Sequence, residues 1–181
     1  MNFITKHFNI VETELSFLQE NIEFFAYLAV CFFIPFVLGH PQWLVGSIVN
    51  CALILGALNL KFEKVLPIIL IPSIGVLSAG ILFGTYTKFL LYLIPFIWIG
   101  NTIIVWGIKY LNLKHKNNYA ISLLISSIAK TIFLFSSISV LVLFKVVPIA
   151  LLTSFGIFQL YTALLGGGLA FGIQKLKKKL I

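Results

Sequence analysis

Apolar residues run along this chain in long blocks, each closed by a short cluster of Lys, Asn, Gly or Pro. A helix that crosses a bilayer needs about 20 predominantly apolar residues. Windows of that kind fall over Phe24–Gly39, Trp43–Leu60, Val65–Gly84, Phe89–Leu111, Tyr119–Phe144 and Val147–Ile173. The pattern predicts an all-α polytopic membrane protein whose six transmembrane helices form one bundle. Ahead of the first block, Val11, Leu15, Leu18 and Ile22 recur at helical spacing, and Asn9 with Glu12 fits a capping box. These residues predict a short amphipathic helix over 1–23, followed by the membrane domain over 24–174 and a basic tail over 175–181.

Composition sharpens this picture. The chain has 181 residues, 60% of them hydrophobic and only 10% charged, which excludes an ordinary soluble domain. Its net charge of +8 follows topology rather than forming a groove with interleaved aromatics, so no nucleic acid is expected and the bilayer is the partner. With Lys175, Lys177, Lys178 and Lys179 in the cytoplasm, six crossings put Lys6, Lys61, Lys64, Lys109, Lys114 and Lys116 on the same side, and only Lys88 and Lys145 on the other. That asymmetry predicts a multi-pass cell-membrane protein with both termini cytoplasmic. The N-terminal segment carries Glu12, Glu14, Glu20 and Glu23 and no small-residue cleavage pattern, unlike a secretory signal. Its acidic face is expected to rest on the protein's own lysine-rich loops or on another subunit, or simply to be solvated. Cys31 and Cys51 read as small packing residues, and with His40 they fall short of a metal spacing, so no metal or cofactor is expected.

Lys130 lies near the middle of the fifth block, and no Asp or Glu follows Glu63 to answer its charge. An ionisable side chain at that depth costs about 2.5–3.5 kcal/mol on insertion scales and usually marks a function. Eleven residues separate it from Tyr119, about 16 Å of helix, which is too far for a lysine stem to reach the interface. Ser122, Ser126, Lys130 and Ser137 share one helical stripe, predicted to face the bundle interior. The competing readings are a lysine held by backbone carbonyls for structure alone, or one that sheds its proton on burial. Asn101 and Gln159 lie at similar depth on the fourth and sixth blocks, and Pro95, Trp98 and Asn101 recur every three residues, so a kink, an aromatic surface and an amide are expected on one cavity wall. Interhelical hydrogen bonding is the alternative for each amide. His40 and Gln42 in the Gly39–Gln42 break, with Asn50 two turns deeper, are candidates at the outer mouth, unless they merely cap a turn. Gly80 with Gly84 and Gly168 with Gly172 form small-xxx-small pairs expected to pack helices.

Absences narrow the function. The spans hold no carboxylate to carry a coupling proton or sodium ion, no nucleophile with an activating base, and no phosphate-binding Gly-rich loop followed by Lys-Ser/Thr. An enzyme is therefore not expected. A polar cavity in a six-helix bundle without an energy source of its own fits a substrate-binding membrane subunit.

The strings Gly39-His40-Pro41-Gln42, GSIVN over Gly46–Asn50, IPFIWIGN over Ile94–Asn101, Lys130 with FLFSS over Phe133–Ser137, and QLYTALLGG over Gln159–Gly167 occur in this order on successive blocks. Together they resemble the S-components of energy-coupling factor transporters, in a branch often labelled, misleadingly, as iron hydrogenase. The resemblance runs from about Leu38 to Leu169. It implies a subunit that captures a small vitamin-like molecule from outside, with a transmembrane coupling subunit and cytoplasmic ATPases as partners. It also implies substrate-binding roles for His40, Gln42, Asn50, Asn101, Lys130 and Gln159, beside Trp98, Ser126 and Ser137 from the residue pattern. One departure is that Ala26 and Ala29 are three apart on the first helix, with Val30 where the four-residue docking alanine of many S-components stands. The expected guest is anionic or carbonyl-bearing, because the later spans offer a cation and no anion. The alternative is an accessory or scaffold subunit of another membrane complex, with no ligand of its own.

Overall fold

A computed structural model describes residues 9–180; Lys6, the start of the expected amphipathic helix and Ile181 lie outside the described residues. Six helical segments are long and apolar enough to cross a membrane, and no strand occurs among the described residues. The first three crossings are α1 (Phe17–Leu38), α2 (Gln42–Asn59) and α3 (Phe62–Ala79). The fourth is composite, with a 3-10 turn at Gly84–Phe89, α4 at Leu90–Gly107 and a π-helical end at Ile108–Lys114. The fifth is α5 (Tyr119–Leu143), started by Asn118, whose Oδ1 accepts from the Ala120 N–H at 2.8 Å. The sixth is the short α6 (Leu151–Phe155), broken at Gly156 from α7 (Ile157–Leu180). The chain is a polytopic helical membrane protein.

Burial orders these helices around α2. Two-thirds of its spanning window (67%) is buried against 11% for α1, so α2 is the axis and α1 a peripheral helix facing lipid. The tightest pairings are α2 with α7, α1 with α3, and α4 with α5. Side chains from these helices form two apolar clusters. One, around Leu53, Leu58, Ile68, Ile104 and Ile108, fills the end that carries most of the lysines. The other, around Val45, Val76, Leu93, Ile138 and Phe155, fills the end that carries Lys88 and Lys145.

The N-terminal segment differs from expectation. No separate amphipathic helix forms over residues 10–16, and the helix that begins at Phe17 runs straight into the first crossing. Ser16 caps it, accepting from the Gln19 N–H at 3.4 Å while Gln19 Oε1 accepts from the Ser16 N–H at 3.1 Å, so the capping box is Ser16–Gln19 and not Asn9–Glu12. Asn9 and Glu12 instead bind across the lysine-rich end. Asn9 Oδ1 accepts from the Phe62 N–H at 3.1 Å and the Glu12 N–H donates to Leu58 O at 2.7 Å. The Glu12 carboxylate accepts from Gln174 Nε2 at 2.8 Å and Lys178 Nζ at 2.5 Å. Tertiary partners outweigh the local period here.

The acidic residues do rest on the protein's own lysines, with Glu12 on Lys178, Glu20 on Lys64 and Glu23 on Lys177. The expected tail is not separate, because α7 remains helical through Lys175, Lys177, Lys178 and Lys179.

The helix contacts also fall on other glycines than Gly80, Gly84, Gly168 and Gly172, each of which has open space where a Cβ would stand. Gly80 and Gly84 are turn residues with φ of 71° and 51°. Close approach occurs at Gly75, where a Cβ would lie 2.6 Å from Phe32 O, and at Gly166, where it would lie 2.5 Å from Ser47 O. These two positions let α3 reach α1 and α7 reach α2. Gly75→Ala and Gly166→Ala are each expected to cost about 1–3 kcal/mol as overpacked contacts, whereas Gly168→Ala should leave stability unchanged; thermal unfolding of detergent-purified protein reads the difference.

Candidate functional site

Between the two apolar clusters lies a thin polar layer with Lys130 at its centre. Lys130 is 2% exposed, and its Nζ donates to Asn50 Oδ1 at 2.7 Å and to Asn101 Oδ1 at 3.1 Å. Both amides are aimed by their other ends. Asn50 Nδ2 donates to Gly46 O at 2.9 Å and Thr162 Oγ1 at 3.2 Å, while Asn101 Nδ2 donates to Ile69 O at 3.1 Å. With each NH₂ committed to an acceptor, each carbonyl oxygen is left to face the lysine, which settles the amide orientation. No carboxylate takes part, since Glu12, Glu14, Glu20, Glu23 and Glu63 all belong to the lysine-rich end. An ammonium has three donors, and two are occupied here.

This layer is the floor of an internal cavity of about 90 Å³. Lys130, Asn50, Asn101, Gln159 and Gln42 all line it, so five of the nine expected site residues meet in one place. Gln159 has no side-chain partner among the described residues. Gln42 sits at the mouth, where its Nε2 donates to Ser154 O at 3.4 Å and its Oε1 accepts from Ser154 Oγ at 3.0 Å. Beside it, Phe83 stacks on Phe155 with ring centroids 5.6 Å apart and planes 18° apart, which narrows the mouth between the α3–α4 connection and α6.

The other four expected residues lie elsewhere. Trp98 points at α3, donating from Nε1 to Leu70 O at 3.1 Å and Ser73 Oγ at 2.8 Å. Pro72 lacks an N–H and so leaves a gap in the hydrogen-bond ladder of α3 in this stretch, and Trp98 and Asn101 of α4 fasten onto the helix's carbonyls at Leu70 and Ile69. Trp98 is thus a helix-to-helix fastener rather than a cavity wall. Ser126 returns its hydroxyl to Ser122 O at 2.6 Å and packs where a Cβ on Gly107 would meet it at 2.2 Å. Ser137 donates to Phe133 O at 2.8 Å. His40 is exposed and does not line the cavity; it borders a cleft at the rim with Thr85, Tyr86 and Ser154, and that cleft shares Gln42, Leu82 and Phe83 with the cavity.

Three features escape the sequence pattern. Thr162 and Ser73 line the cavity although each reads as an ordinary small residue inside an apolar run. Thr162 stands three positions after Gln159, one helical turn along the same face, and that spacing is the signal that points to it. Lys109 reads only as one of the cytoplasmic-side lysines near the end of the fourth block, yet it is fully buried, donating to Ile10 O at 2.8 Å and Leu60 O at 2.9 Å. It lies in the π-helical stretch Ile108–Lys114.

Among the described residues no three His, Cys, Asp or Glu side chains gather as a metal site, and Cys31 and Cys51 are free buried thiols. Comparison with protein-family models, with curated proteins and with solved structures finds no match to this chain.

Replacing Asn101 by Leu removes one acceptor from a buried lysine and should cost about 1–3 kcal/mol or more of stability. Lys130→Met should recover part of that loss in the double variant, because the two residues share one network. Unfolding of both single variants and the double variant measures the coupling; strictly additive losses would contradict it.

Proposed function

We propose that this protein is the substrate-binding subunit of a membrane importer and captures a small, anionic or carbonyl-bearing molecule. The observation that carries this reading is a lysine at the floor of an internal cavity, held by two amide oxygens, with no carboxylate to neutralise it. A buried cation is costly unless something compensates it. A guest with an anionic or carbonyl oxygen supplies what the resting site lacks. The cavity belongs to the end that carries few lysines, and the asymmetry of the lysines supports placing that end at the outer face of the cell membrane, with both termini cytoplasmic.

No coupling carboxylate lines the cavity, and the resemblance to S-components of energy-coupling factor transporters extends the reading to a vitamin-like substrate and to external drive from a coupling subunit and ATPases. The scaffold alternative needs Lys130 to meet another chain's carboxylate, and its place inside the bundle argues against that.

Native mass spectrometry of protein purified in mild detergent tests the reading. Wild-type protein should carry a small-molecule adduct that Lys130→Met loses, with affinity weakened by about 2 kcal/mol or more for a charge-assisted hydrogen bond. An obligatory partner chain with no small-molecule adduct would favour the scaffold instead.

A further inference from the structure

The cavity is graded along its depth. On each helix that contributes a wall, the deepest lining residue is polar or sits beside one that is: Asn50 on α2, Ser73 on α3, Asn101 on α4 and Thr162 on α7, with Lys130 on α5. Apart from Gln42 at the mouth and Gln159 one turn above Thr162, the shallower lining positions are mostly apolar: Val45 and Val49 precede Asn50, Ile97 precedes Asn101, Phe158 precedes Thr162, and Phe155 of α6 joins them. Eight residues separate Gln42 at the mouth from Asn50 at the floor, about 12 Å of helix.

Polar capacity at the floor is nearly used up. The Asn50 and Asn101 amides, the Thr162 hydroxyl and the Ser73 hydroxyl all donate to partners within the bundle. What remains for a guest is the third donor of Lys130, the second N–H of the Asn101 amide and the side-chain amide of Gln159. One cation with amide donors beside it matches the two oxygens of a single carboxylate. No second charged group in the cavity answers a second acid or an ammonium, since Gln42 is engaged with Ser154 and the walls between are mostly hydrocarbon and aromatic.

We infer that the substrate is an amphiphilic monoanion, a compact apolar body bearing one carboxylate, that binds with its acid group on Lys130 and its apolar part against the Val49, Ile97 and Phe158 walls. This rests on the binding-subunit reading and names the class of guest within it. A dicarboxylate would strand its second charge against hydrocarbon, and an amino acid would bring an ammonium to a site that already holds one. An uncharged amide would keep the apolar contacts and lose the charge-assisted bond.

A matched set of six-carbon probes separates these cases: caproate, caproamide, adipate and ε-aminocaproate, each titrated by calorimetry against the full chain in nanodiscs. Caproate should bind most tightly, and Lys130→Met should weaken it by about twentyfold or more while leaving caproamide nearly unchanged. Lys130→Gln, which keeps a hydrogen-bond donor without the charge, repeats the test if the Met variant fails to fold. Tighter binding of adipate or ε-aminocaproate would overturn the monoanion class, as would caproate binding indifferent to Lys130. If no probe binds while wild-type protein still carries an adduct that depends on Lys130, the class is wrong and the binding-subunit reading stands. If the adduct is absent too, both fall.

Discussion

A single ammonium held between two amide oxygens in an otherwise apolar bundle constrains much of the surrounding architecture. Water would solvate such a cation far better than two dipoles do, so the site persists only because its acceptors are held in place beforehand. That placement is distributed over the fold. Asn50 is fixed by its own helix and by Thr162 of α7, and Asn101 by the Ile69 carbonyl of α3. The contact of α2 with α7 through Gly166 therefore sets the position of one acceptor, and the contact of α4 with α3 sets that of the other. Packing and polar chemistry are coupled here, and neither side of the layer is free to shift alone.

The two apolar clusters give this layer its direction. Toward the lysine-rich end, Leu53, Leu58, Ile104 and Ile108 pack into a buried apolar cluster. Toward the other end, the apolar walls part into a cavity narrowed by the Phe83–Phe155 stack. In the proposed binding role a guest would meet mostly hydrocarbon and aromatic surface before the charge, an order that favours molecules able to shed water from most of their surface before their polar group is engaged.

Much of this was legible in the chain because membrane insertion makes sequence unusually literal. Every crossing must be long, apolar and helical, so the six spans follow from block length, with ends shifted by a few residues. Depth along a helix is also readable, and it brought Lys130, Asn101, Asn50 and Gln159 to one cavity. Rotation about the helix axis was not. Trp98 is three residues from Asn101 and still belongs to the α3–α4 contact, because rotation is decided by the neighbour that a side chain meets. Glycine spacing misled for the same reason: Gly168 and Gly172 keep the right interval on a face with nothing against it, and Gly166 makes the contact. Lys109 was hidden by a local change of helical pitch that leaves no periodic trace. The course of residues 9–16 was hidden because its partners lie at Leu58, Lys109 and Gln174, far along the chain.

That last segment has a consequence for how the molecule is made. The stretch around Asn9–Glu12 precedes all six crossings in the chain, yet the groups that hold it include Lys109 on the fourth crossing and Gln174 and Lys178 near the end of the sixth. Its complete set of bonds cannot exist until α7 has been made. Docking of this stretch is therefore completed only after the last of the six crossings, and a nascent chain stalled before α7 would leave Glu12 without its side-chain partners.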